Sequence, residues 1–77
     1  MLTADGFDAA IIGVGERCGS PEIIVYDADK CVDILIEGGM DYDEAQEFFS
    51  YNTLGAYVGE HTPIYVWKMG IEEINER

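Results

Sequence analysis

The sequence predicts an α+β fold, a small single domain in which a short sheet is covered by helices. Two β-branched runs, "EIIVY" (22–26) and "TPIYVWK" (62–68), sit among turn and acidic residues and read as strands. The stretches around them carry helical apolar spacing and N-cap residues. The 77 residues make one domain, and an apolar share of 48% with five Tyr, three Phe and one Trp is enough for one core. A chain this short buries only ~60% of the surface its unfolded form exposes, so its stability margin is thin.

The expected order is helix, strand, helix, helix, strand and tail. In "DGFDAAIIGVGERCG" (5–19), Phe7, Ala10, Ile11, Val14 and Cys18 follow a helical stripe. Asp5 serves as N-cap, Asp8 adds first-turn charge, and Gly19 with Pro21 beyond gives the stop. Gly13 and Gly15 oppose that helix by about 1 kcal/mol each relative to Ala. The alternative is a strand through Ala10–Val14 followed by a Gly-rich turn. The first β-branched run ends at Asp27, which caps a helix over about 28–37. Cys31, Ile34 and Leu35 form its inner face, widened by Val32 and Ile36, and Gly38 and Gly39 end it.

In "MDYDEAQEFFSYN", Asp41 and Glu44 have capping-box spacing. Ala45, Phe48 and Phe49 are expected inside, joined by Tyr42 and Asn52, with Asp43, Glu44, Gln46 and Glu47 in water. A continuation or second short helix fits Leu54, Ala56, Tyr57 and Val58, stopped by Gly59. Pro63 suits the first position of the last strand, where a missing N–H is tolerated. Residues 1–67 are thus the domain and 68–77 a polar helical tail. Two short strands alone are weak, so they must pair under the helices or extend across a homodimer.

The net charge is −12, with Arg17, Lys30, Lys68 and Arg77 the only cations. Such a chain repels phosphate backbones and anionic lipid, which argues against direct nucleic-acid or membrane binding. It favours a basic protein surface as partner, although plain solubility accounts for acidity equally well. No run approaches the ~18 apolar residues of a membrane span, and the N-terminus lacks a basic leader pattern. The expectation is a cytoplasmic protein with Cys18 and Cys31 as buried free thiols.

Chemistry-bearing candidates each have a plain structural reading. Asp27 and Asp29 at a strand end resemble the nucleophile motif of haloacid-dehalogenase-like phosphatases, where two Asp and Mg²⁺ act on phosphate. Lys30 and Cys31 depart from that motif, and the chain is too short for that fold's large sheet. Asp27 as N-cap and Asp29 at the second helical position explain both carboxylates. Cys18 beside Arg17 lacks a base nearby in sequence. His61 lies in the turn "GEHTP" beside Glu60. Tyr51, Asn52, Tyr57 and Trp67 are either core packing or a polar-aromatic recognition patch. With the outer carboxylates Asp29, Asp33, Asp43 and Glu47, and with Glu60 and His61, they are the candidate partner-binding residues. No cofactor is implied.

The segments "GFDAAIIGVGERCG", "VYDADKCVDIL", "GMDYDEAQEFFSYN" and "GAYVGEHTP" resemble a family of small acidic proteins found in phage genomes and some bacteria. The resemblance runs from Phe7 to about Val66, and its last two segments together are the most specific. It implies a phage context, hence the cytoplasm of a host cell, and brings no catalytic residues. The expected function is a non-enzymatic inhibitor or accessory factor that binds a basic surface on a host or phage protein. The alternative is a small metal-dependent phosphate-processing enzyme or nucleotide binder using Asp27 and Asp29.

Overall fold

The β-branched run after Pro21 forms the centre of a three-stranded sheet. In the computed structural model, which describes residues 2–77, the strands are β1 (Ile11–Gly15), β2 (Ile23–Asp27) and β3 (Ile64–Val66), in the order β1-β2-β3. Met1, the first residue of the expected domain, lies outside the described residues. β1 runs antiparallel to β2, and β3 runs parallel to it. A parallel pair cannot be joined by a tight turn. The connection here contains α1 (Ala28–Glu37), α2 (Tyr42–Phe48) and a π-helical segment, Phe49–Leu54. A last short helix, α3 (Ile71–Asn75), follows β3.

The α+β class stands, but the first element is a correction. The helix expected over 5–19 is a single 3-10 turn, Asp8–Ala10, that runs into strand β1. The alternative strand through Ala10–Val14 is the nearer description. Gly13 has φ +154°, which other residues rarely adopt, and the strand register is irregular between Ile11 and Gly13. A Cβ on Gly15 would meet Val25 Cγ2 at 3.0 Å. The glycines that weaken a helix are thus the ones that let β1 bend and lie close on β2. The sheet consequently has three strands rather than two.

Helix α1 begins and ends as its sequence dictates. Asp27 caps it, accepting a hydrogen bond from the Lys30 N–H at 3.3 Å. At the other end the Met40 N–H reaches Leu35 O and the Gly39 N–H reaches Ile36 O, with Gly39 at φ +116°. This is a Schellman closure, and its accompanying apolar pair, Leu35 and Met40, packs on the core. The capping box of α2 is complete: the Glu44 N–H donates to Asp41 Oδ1 at 2.8 Å, and the Asp41 N–H to Glu44 Oε1 at 3.4 Å.

The inner face of α2 differs from expectation. Ala45 and Phe49 are buried, whereas Phe48, Tyr42 and Asn52 are exposed. Ala45 and Phe49 are one turn apart, and the wider π-helical winding after Phe49 turns Thr53 inward in place of Asn52. The helical path stops at Leu54 rather than near Val58, closed by the Gly55 N–H on Ser50 O.

The core consists of Phe7, Ala10, Tyr26, Ala28, Cys31, Val32, Ala45 and Phe49. Its aromatic part is a chain of contacts. Tyr26 stacks on Tyr65 with ring centroids 5.4 Å apart, Phe49 meets Tyr65 edge-on at 5.3 Å, and Phe49 meets Trp67 edge-on at 5.8 Å. Tyr26 is fully buried, and its hydroxyl accepts a 2.7 Å hydrogen bond from the Ala4 N–H. That bond ties down the segment carrying Phe7 and Ala10.

All helix packing is on one side of the sheet. Register puts Val14, Ile24, Tyr26 and Tyr65 on that side and Gly13, Gly15, Ile23, Val25, Asp27, Ile64 and Val66 on the other. Among the described residues, none of the second group belongs to the core or packs against it. On that second face Ile64 is 46% exposed and Ile23, Val25 and Val66 are half-buried, so it is a largely apolar face without a helix over it.

Tyr26→Phe should keep the stacked ring and lose only the hydroxyl that accepts from Ala4. The expected cost is about 0.5–1.5 kcal/mol, the net worth of one hydrogen bond. Urea unfolding checks this, and a neutral result would mean that the N-terminal segment is held by Phe7 and Ala10 alone.

Candidate functional site

The helix layer concentrates negative charge. Asp29, Asp33 and Glu37 stand at i, i+4 and i+8 on α1, all exposed, about 6 Å apart along the axis. Asp43 and Glu47 repeat the i, i+4 spacing on α2, also exposed. Residues 28–48 carry seven carboxylates (Asp29, Asp33, Glu37, Asp41, Asp43, Glu44 and Glu47) and one cation, Lys30, which is half of the chain's net charge.

Local helix chemistry explains only some of these groups. Asp41 and Glu44 form the capping box, and Asp29 sits favourably in the first turn of α1. The like-charge pairs Asp29/Asp33, Asp33/Glu37 and Asp43/Glu47 each oppose their helix by about 0.2–0.5 kcal/mol. Glu37 lies near the negative end of α1, and neither helix has a basic residue in its last turn. Asp29 and Asp43 are thus favoured by their first-turn positions, whereas the repeated i, i+4 spacing and Glu37 at the end of α1 reduce stability.

Asp27 is committed elsewhere. One carboxylate oxygen takes the Lys30 N–H, and the other pairs with Lys68 Nζ at 3.1 Å. Burial acts to raise its pKa, but hydrogen bonds from Lys68 and the Lys30 N–H, the Lys68 charge and the Asp29 N–H outweigh that, so it lies below the ordinary 3.8. Asp29 turns outward from α1. Among the described residues, no three His, Cys, Asp or Glu side chains are grouped to hold a metal ion.

A depressed carboxylate stabilises the fold above its unfolded value, and the contribution is lost as pH falls through the folded value. Asp27→Asn keeps the cap and removes the ion pair. With Lys68 63% exposed, the expected cost at neutral pH is about 0.2–1 kcal/mol. The difference from wild type should shrink and vanish as pH falls through the folded pKa of Asp27, which lies below 3.8. Urea titrations across that range measure it, and a pH-independent difference would contradict the ion-pair account.

The aromatic candidates do not converge on one patch. Tyr51 and Tyr57 are 77% and 78% exposed, but Trp67 is half-buried, edge-on to Phe49. Asn52 is exposed, and its side-chain amide donates to Phe48 O at 3.3 Å, not to groups near Gly55 or Gly59. It lines a groove of about 410 Å³ with Leu2, Phe7, Val58 and Tyr65. Tyr57 and Glu60 line a different groove with Arg17. His61 is exposed in the turn after Gly59. That turn is pinned by Thr62, whose hydroxyl donates to Gly59 O and accepts from the Val58 N–H.

Both cysteines are free, but Cys18 is exposed rather than buried. With no helix over 5–19, the stripe that would have carried it inward does not exist. Cys31 is fully buried, and burial, aided by the Asp27 charge, pushes its thiol up to about 11. An aromatic disulfide reagent should therefore label one thiol per native chain and two after unfolding. Two labelled thiols in the native protein would contradict the burial of Cys31.

Sequence reasoning missed the open sheet face altogether. Ile23, Val25, Ile64 and Val66 lie at alternate positions of continuous apolar runs, and such runs look alike whether one face or both are covered. Among the described residues, no helix is long and apolar enough to cross a membrane. Comparisons with protein-family models, curated proteins and solved structures find no match.

Proposed function

We propose that this chain is a small acidic binding protein, non-enzymatic, that attaches its α1–α2 layer to a basic surface on another protein. One observation carries the reading. The exposed carboxylates Asp29, Asp33 and Glu37 on α1, and Asp43 and Glu47 on α2, stand in like-charge i, i+4 rows that oppose their helices, although Asp29 and Asp43 are individually favoured in the first turn. Solubility alone would be served as well by charges interspersed with lysines at i+4, which would stabilise instead. These exposed carboxylates suit a cationic partner and speed its approach by long-range attraction. The resemblance to small acidic phage proteins supplies the context, in which the partner is a host or phage protein and the outcome is inhibition or accessory assembly. Asp27, held by Lys68, takes no part in this face.

The test is capture from bacterial lysate on the immobilised chain. The expected result is a basic protein that elutes as salt rises past physiological strength, where the screening length drops below about 8 Å. Asp29→Asn/Asp33→Asn/Glu37→Gln should abolish capture. Glu72→Gln/Glu73→Gln/Glu76→Gln, which removes the same charge from α3, should retain it. Equal loss in both variants would show that net charge, not this face, is responsible.

A further inference from the structure

The open face of the sheet and the last helix are complementary. The face carries Ile64, 46% exposed, with the half-buried Ile23, Val25 and Val66 around it, and Gly13 and Gly15 place no side chains beside them. Two of the chain's four cations bracket it. Arg17 lines a groove with Ile23 and Ile64 at one end of the strands, and Lys68 stands beside Asp27 at the other. Helix α3 offers the opposite chemistry. Every residue from Ile71 to Arg77 is exposed, with Ile71 and Ile74 at 69% and 50%. Those two isoleucines share one side of the helix at i, i+3, and Glu72, Glu73 and Glu76 surround them.

The molecule also has more surface than its mass requires. Its accessible area is 5467 Å², against about 4,700 Å² expected for a monomer of 8.6 kDa. The surplus, roughly 800 Å², matches what one partner contributes to a standard stable interface. The radius of gyration is 13.3 Å, against about 11.5 Å for a compact domain of this length.

We infer that two copies of this chain associate through the open sheet face, with α3 of each lying on the face of the other. Ile71 and Ile74 cover the isoleucines and valines of the partner's sheet, and the α3 glutamates meet its Arg17 and Lys68. The arrangement is isologous, as a two-fold dimer requires. It also keeps like charges apart. The acidic helix layer lies on the opposite side of each sheet, so the two layers face outward, away from the interface. Both weak edges of the design, the bare sheet and the isolated helix, are resolved by the same contact.

Sedimentation and light scattering at micromolar concentration test it. Wild type is expected at twice 8.6 kDa. Ile71→Glu/Ile74→Glu alters only exposed side chains, so its far-UV circular dichroism should match wild type while its dimer dissociation constant rises by more than about a hundredfold, the effect of no longer burying four isoleucines per dimer, two from each copy. Arg17→Glu should weaken the dimer in the same direction. A wild-type chain that remains at 8.6 kDa, or a folded double variant that dimerises as wild type does, overturns the inference. A photo-crosslinker at position 64 that captures a protein of different sequence, and not a second copy, also overturns it and gives the face to a heterologous partner.

Discussion

The buried ring of Tyr26 is the point on which this structure turns. It sits on the central strand, stacks on Tyr65 of the parallel neighbour, and through Tyr65 joins Phe49 and Trp67. Its hydroxyl holds the N-terminal segment at Ala4. One residue therefore links both ends of the domain, the sheet and the helix layer. Few side chains are fully buried, so aromatic rings supply much of the apolar contact. Most of the remaining core is small (Ala10, Ala28, Ala45 and Cys31), which lets α1 and α2 lie close to the sheet. In a chain with little interior, a few large rings among small residues make a denser core than many medium ones competing for the same space.

One face of the sheet receives α1 and α2, and the division of chemistry follows. The helices present carboxylates to water, while the other face of the sheet presents isoleucine and valine between two cations. Charge of one sign cannot be spread over a surface without self-repulsion, and gathering it on one layer leaves the other free for apolar contact. The Lys68–Asp27 pair stands at the junction. It neutralises the carboxylate at the start of α1, so that the acidic row proper begins at Asp29.

Several features were legible in the residues themselves. The span of α1, the capping roles of Asp27 and Asp41 and the strand before Asp27 rest on local chemistry within a turn or two. The first segment misled because Phe7, Ala10, Ile11, Val14 and Cys18 satisfy a helical spacing while Gly13 and Gly15 oppose it. Spacing counts positions and is blind to pairing with a distant segment, and a Cβ at Gly15 would come within 3.0 Å of Val25 on β2, a closeness that glycine permits. The same limit displaced Cys18 to the surface. The inner face of α2 was half right: Ala45 and Phe49 pack inward, and the change of winding after them moved Asn52 out and Thr53 in. As for the binding residues, the outer positions of Asp29, Asp33, Asp43 and Glu47 follow from helix phase. The separation of Tyr57 from Asn52 and the burial of Trp67 against Phe49 depend on contacts distant in sequence.

The sequence by itself determined the α+β class, the ends of α1 and the start of α2, and the sign and placement of charge along the helices. These depend on interactions between residues one helical turn apart, which the order of residues specifies directly. Only the tertiary structure decided that β1 is a strand, that β3 runs parallel to β2, and that one face of the sheet stays bare. Each of those depends on which segments meet across a connection that includes two helices, and meeting is governed by the fit of Tyr26, Tyr65 and Phe49 rather than by any local preference.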